Sequence, residues 1–339
     1  MIYVLPGDGT DNGYNTGILL KDQQKLLGGG LSYEFLTTEG LVRAPALATG
    51  FPLLDNTLNN PGPVIQLAND NEVAGLHVRG FKITSSNSVK TEGILSQNIT
   101  NAFIHNNLID TDNVGGGLAP AGINFVNSGG NLVVEQNAFN VIGNNPVFQV
   151  QITSTQPNAS YHFTHNSFTA APPNPSTGFE LGDSITPLGD FVLLDISNNQ
   201  FTGMGKSSSP AGGKAIGGIG FGGKGSVLID SNLFSEMNAN TPGIVFLRLQ
   251  SGSNINAAIT NNTWVNSQNL NKPSVVVQGF AGDIASCITL TGNTSDVIST
   301  AYQLDNSAGT GPMTVDVSNN IGIVQELNTT AGTCPVITP

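Results

Sequence analysis

The sequence predicts an all-β protein folded as a single solenoid of parallel coils. Three observations lead there: a unit Ile–x–x–Asn–x–Phe recurs at a near-constant interval, an alternating apolar segment precedes most copies, and helical periodicity is scarce. FIHNNLI sets Ile104, Asn107 and Ile109 in one frame, LVVEQNAF sets Val134, Asn137 and Phe139, and YHFTHNSF sets Phe163, Asn166 and Phe168. LLDISNNQF follows with Ile196, Asn199 and Phe201, VLIDSNLF with Ile229, Asn232 and Phe234, and AAITNNTW with Ile259, Asn262 and Trp264. Leu290 with Asn293 and Val317 with Asn320 are looser copies. The asparagines fall 30, 29, 33, 33, 30, 31 and 27 residues apart, within the range that marks repeat architectures.

Each element follows from this frame. Upstream of the Asn units lie GINF (122–125), PVFQV (146–150), GFEL (178–181), GIGF (218–221), GIVF (243–246), PSVVV (273–277) and AYQL (301–304). Alternation over four to six residues between Gly, Pro and Asn is a strand signature. One repeat is therefore strand, loop, strand, Asn corner, short strand and variable loop, with like strands paired in parallel between coils. Asn tolerates the left-handed backbone of a sharp corner, and stacked amides can bond to one another as a ladder. Asn107, Asn137, Asn166, Asn199, Asn232 and Asn262 are the expected interior ladder. Phe139, Phe168, Phe201, Phe234 and Trp264 are the expected inward aromatic stack.

The ends are less regular. Residues 1–92 read as irregular coils: GILLKDQQKLLGGG (17–30) closes on glycine, and GLHVRGFKI fits the frame with Val78, Phe81 and Ile83, placing Phe at the corner. Residues 31–63 form a long insertion, 93–322 the regular coils and 323–339 a tail; 202–217 is a second, Gly/Ser/Lys-rich break. The whole chain, 1–339, is expected to be one domain of about ten coils, a rod on the order of 50 Å long. A bare solenoid end exposes unpaired strand edges, a reason to expect further chain upstream.

Bulk properties narrow the function. A formal net charge of −12 argues against nucleic acid and disfavours polyanionic ligands. No run of 18 apolar residues encodes a membrane span, so direct membrane insertion is not expected. The start, MIYVLPGDGT, reads as strand and turn rather than signal peptide. Cys287 and Cys334 can form a disulfide in an exported protein or stay as thiols.

The IYVLPGDGT opening, the LLGGG ending and the two alternating motifs resemble the right-handed parallel β-helix, pectin-lyase-like superfamily, over nearly the whole chain. The Asn-rich coils and CITLTGNTS are most similar to bacterial surface β-helix proteins of the autotransporter-passenger or polymorphic-membrane-protein type. The resemblance implies the right hand, an extracellular or cell-surface location and a host or neighbouring cell-surface protein or glycan as partner. The superfamily also hosts lyases and hydrolases, so fold alone names no activity.

Any enzymatic activity would have to show in particular residues. The pectate-lyase-like Arg–x–Pro–x–x–Arg and the polygalacturonase-like Asp-Asp and Gly-His-Gly pairs are absent. Stacking outward positions gives Asn124, Gln149, Glu180, Gly220, Val245, Val276 and Gln303 on the first strand. The second strand gives two columns: Phe103, Val133, His162, Asp195, Leu228, Ala258, and His105, Glu135, Thr164, Ser197, Asp230, Thr260. His162 with Asp195, and His105 with Glu135, fall on adjacent coils and are either acid/base couples or surface ion pairs. Glu180, Asp183, Asp190, Asp195 and His162 form the candidate cluster if the chain is a polysaccharide lyase or glycoside hydrolase. Calcium is the only cofactor with any candidates: Asp110 and Asp112 with Asn113 before a Gly run, Asp183 and Asp190 in DSITPLGD, and Asp8 in DGTDNG, whose twelfth position is Leu19 where a calcium loop needs Glu. The leading expectation is a non-catalytic, exported scaffold that binds through protruding loops.

Overall fold

A computed structural model of the chain describes residues 1–7, 17–47, 50–56, 62–80, 92–111, 121–141, 147–170, 176–182, 187–204, 214–218, 220–237, 243–267, 272–280 and 282–339. Among them the fold is all β, with no helix. Strands pair in parallel on three faces. The first face runs from Ile18–Leu19 through Phe148–Thr155 and Thr177–Leu181 to Ile323–Leu327. The second runs from Ile2–Val4 through Ser160–Thr164 and Leu193–Ser197 to Thr330–Ala331. Short strands form the third, from Leu53–Asp55 to Thr263–Val265.

A strand on every face is present, without interruption, from the coil of Ile65–Gln66, Asn71–Ala74 and His77–Gly80 to that of Val245–Leu249, Asn254–Thr260 and Thr263–Val265. The solenoid thus has about seven full turns, not the ten expected from spacing. End coils are incomplete. Past Trp264 the third face continues among the described residues only as single bridges, Thr263 to Thr294 and Thr294 to Ile321, where Ser295 and then Gly322 stand in place of the Phe. At the other end, the antiparallel hairpin Tyr33–Thr37 and Gly40–Ala44 interrupts a coil before Leu53–Asp55. Residues expected as tail supply Ile323–Leu327 and Thr330–Ala331 to the sheets.

The ladder is continuous. Each Asn Oδ1 accepts both the backbone N–H and the side-chain Nδ2 of the Asn one coil before, as Asn137 does for Asn107 at 2.9 and 3.0 Å. Its own Nδ2 also donates to a carbonyl of the preceding coil, Asn137 to Ile104 at 2.9 Å. The series passes through Asn166, Asn199, Asn232, Asn262 and Asn293 to Asn320. All the polar capacity of a buried amide is thereby met, which is the condition for burying it.

The left-handed residue, however, is the one before each ladder Asn. Asn106, Gln136, His165, Asn198, Ser231, Asn261 and Asn319 have φ of 52° to 58°, and Gly292 has 69°. Division of labour explains this: one residue turns the chain and faces solvent, the next buries its amide. At the N-terminal end the frame also shifts. Val73 pairs with Ile104 and the Leu76 N–H donates to Asn107 Oδ1 (3.1 Å), so Leu76 holds the corner assigned above to Phe81. Phe81 and Ile83 lie outside the described residues.

Interior packing follows the coil repeat. Phe139, Phe168, Phe201, Phe234 and Trp264 are fully buried and stack face to face at 4.6, 4.8, 4.9 and 4.8 Å, with rings within 12° of parallel. The spacing is that between hydrogen-bonded strands, so the sheet register dictates the stack.

Candidate functional site

On the second face both outward columns fall in the register expected. Phe103, Val133, His162, Asp195, Leu228 and Ala258 are successive partners, as are His105, Glu135, Thr164, Ser197, Asp230 and Thr260. His162 Nδ1 lies 3.4 Å from Asp195 Oδ2, a long contact, while Ser197 Oγ bonds the other Asp195 oxygen. The imidazole does not stand between hydroxyl and carboxylate, so this is no Ser–His–Asp relay.

His105 turns away from its register neighbour Glu135 toward the preceding coil. Its Nε2 donates to Glu72 Oε1 (3.2 Å) and its Nδ1 to Asn106 Oδ1 (2.9 Å), while Lys25 Nζ reaches Glu72 Oε2 at 2.5 Å. Acceptors at both nitrogens favour the protonated ring. Burial pushes the His105 pKa down, but the bonds to Glu72 and Asn106 and the Glu72 and Glu135 charges outweigh it, and the net shift is up. The His105 bond, opposed by burial and helped by Lys25, holds Glu72 at about 2. Beside this pair is an open groove of about 590 Å3 between Lys25, Glu72, Phe103, Asn131, Val133 and Glu135. Phe103 stacks on the His105 ring at 4.1 Å.

On the first face the register corrects the stacked column. Asn124 pairs with Gln151, then come Glu180, Gly217, Phe246, Val276 and Gln303. Gln149, Gly220 and Val245 leave the column; Val245 points into the core. Aligning GIGF with GIVF misplaced the second by one residue, and a one-residue slip exchanges inside for outside. Glu180 therefore sits beside Lys214 and Phe246, which sequence reasoning missed. A Cβ on Gly217 would meet Lys214 Cδ at 3.1 Å and Glu180 Oε2 at 3.3 Å, so both side chains converge over that glycine. Lys214 Nζ lies 4.6 Å from the Phe246 ring centre, and the Arg248 guanidinium stacks on Phe280. Burial, with help from Arg248 and against Glu180, pushes the Lys214 pKa down. Oε1 of buried Gln151, next in the column, has no hydrogen-bond partner.

The four candidate catalytic residues that are described do not assemble in one place. Glu180 is on the first face, His162 and Asp195 on the second, and Asp190 Oδ1 accepts the Lys224 backbone N–H (2.8 Å). Asp183 lies outside the described residues, as do Asp8 and Asp112. Asp110 is engaged by protein donors, His77 Nε2 at 2.6 Å and Asn140 Nδ2 at 3.1 Å. Burial raises its carboxyl, but these bonds and the nearby Arg79 outweigh it and the net shift is down. Among the described residues no group of three or more His, Cys, Asp or Glu is arranged to hold a metal ion. His77 and Arg79 also escaped the sequence reading, because third-strand positions were not stacked; Arg79 and Asp110 are register partners there.

A disulfide joins Cys287 to Cys334, resolving the two possibilities left open by the sequence. Comparison with known proteins adds no relative: no protein-family model and no curated protein matches this chain.

Proposed function

We propose that this chain is an exported, non-catalytic scaffold of a bacterial cell surface, of the right-handed pectin-lyase-like β-helix class and of adhesin or autotransporter-passenger type. Its partner would be a host or neighbouring cell-surface protein or glycan, held by loops and grooves that a rigid rod presents. The observation that carries the reading is the separation of the described acid candidates: Glu180 is on the first face and the His162–Asp195 pair on the second, while Asp190 accepts a backbone N–H, whereas hydrolysis needs two carboxyl groups across one bond. The Cys287–Cys334 disulfide adds support, since such bonds persist in oxidising compartments.

A second reading rests on Glu180 beside Lys214, a carboxylate and an amine whose charge is weakened by burial. That pairing favours a polysaccharide lyase or glycoside hydrolase on the first face. One experiment separates them. The purified chain is incubated with a broad polysaccharide panel, with and without calcium, and assayed for new reducing ends and unsaturated products. The scaffold reading expects none from a well-folded sample, together with retention on intact cells. Turnover that Glu180→Gln and Lys214→Met abolish would establish the enzyme instead.

A further inference from the structure

The last coil does not end the path of the chain. After Thr330–Ala331 pairs with Met313–Ser318, the Gly332 N–H makes the last backbone hydrogen bond, to Val315. The chain then turns back along the outside of the second face. Cys334 is bonded to Cys287, whose register partner is Asn256, followed coil by coil by Ser226, Leu193 and Ser160. Ile337 packs on Leu193, Leu228 and Ala258, three outward residues that are nevertheless buried. Val336 to Pro339 wall a cavity of about 500 Å3 whose floor is Ser160, His162, Leu193 and Ser226.

We propose that Leu193, Leu228 and Ala258 form a docking strip for an extended aliphatic segment, that residues 333–339 are its resident occupant, and that the Cys287–Cys334 bond decides whether the strip and His162 are covered. The strip runs diagonally over two neighbouring columns: Leu193 interrupts the polar column of Ser160, Ser226, Asn256 and Cys287, while Leu228 and Ala258 lie in the column that has His162 and Asp195 above them and Thr289 and Asp316 below. Its three side chains lie on successive coils, with Leu193 two residues out of line along its strand, so an extended chain crossing the strands obliquely can reach all of them. The five residues after Cys334 span at most about 17–18 Å when extended, enough for the three coil steps, about 14 Å, from Cys287 to Leu193. Among the described residues no backbone–backbone hydrogen bond holds residues 333–339, and Ile337 is the residue of that segment that packs on the strip. A single half-covered isoleucine does not offset the entropy of ordering seven residues unaided; pinning Cys334 confines the segment to the strip and raises its effective concentration there. Reduction by a dithiol breaks the S–S bond, leaves two protein thiols and oxidises the dithiol to its cyclic disulfide, after which the strap lifts.

The test is carbethoxylation of histidines in the full chain, read residue by residue by mass spectrometry. His165, exposed at a corner away from the strap, is the internal reference. Oxidised protein is compared with dithiothreitol-reduced protein, Cys334→Ser and Ile337→Asp, the last keeping its disulfide. The expected result is a rise of about threefold or more in His162 modification in all three, with His165 unchanged. Equal His162 rates in every form would overturn the proposal. So would a parallel rise at His165, which reports loosening of the rod, or a rise in Ile337→Asp without one on reduction, which would mean packing alone holds the strap.

Discussion

Asn232 Oδ1 accepts two hydrogen bonds from Asn199, one from its backbone N–H at 2.9 Å and one from its side-chain Nδ2 at 3.1 Å. Asn199 in turn receives the same pair from Asn166 and donates Nδ2 to the Phe163 and Ser197 carbonyls. Replacing Asn199 by Ala leaves two donors of Asn166 and two carbonyls without this partner inside a dry core. At about 1–3 kcal/mol for each group left unsatisfied, partly relieved by relaxation, the expected cost is about 3–5 kcal/mol. Urea denaturation of Asn199→Ala, followed by circular dichroism, checks this; a loss below about 1 kcal/mol would mean the ladder is ornamental to stability.

The corner preceding the ladder makes an opposite prediction. Ser231 has φ of 55°, a conformation that glycine adopts freely and a β-branched residue resists. Ser231→Gly is expected to leave stability within about 1 kcal/mol of the parent, whereas Ser231→Val should lose about 1–2 kcal/mol. Thermal melts of the two variants side by side distinguish a backbone cause from a side-chain one.

Within the aromatic stack, Phe201 lies between Phe168 at 4.8 Å and Phe234 at 4.9 Å and is fully buried. Phe201→Ala should cost about 3–5 kcal/mol, as cavity-forming Phe truncations do, and Phe201→Leu clearly less. If the two variants melted alike, refilling the volume would bring nothing back and the loss would belong to the ring stacking itself.

Titration of Glu72 and His105 should shape the stability profile. Glu72 is lowered from 4.5 to about 2, so its contribution is complete above 4.5 and lost as pH falls toward 2. His105 is raised, so its contribution is complete below 6.5 and lost as pH rises through its folded value. Both are present between 4.5 and 6.5. The melting-temperature advantage of the parent over His105→Gln is expected to peak in that window and to shrink on the alkaline side. A difference that stayed flat with pH would assign His105 a packing role only.

The sequence by itself determined the repeat, the parallel coils, the ladder residues and the aromatic stack. Each depends on a short pattern read once per coil: Asn199 and Phe201 are two residues apart, and their neighbours in space are their own counterparts in adjacent copies. The second-face columns were legible for the same reason, since Leu193–Ser197 and Ser160–Thr164 keep constant spacing to the ladder. Tertiary structure decided what that spacing leaves free. Loops of unequal length separate the first-face strands from the ladder, so only the observed pairing of Gly217 with Phe246 brought Glu180, Lys214 and Phe246 together. His105 faces two carboxylates, Glu72 and Glu135, on either side, and side-chain geometry rather than register selected Glu72. The path of residues 333–339 carries no repeat at all; the disulfide and the apolar strip beneath Ile337 fix it, and both exist only once the coils have stacked.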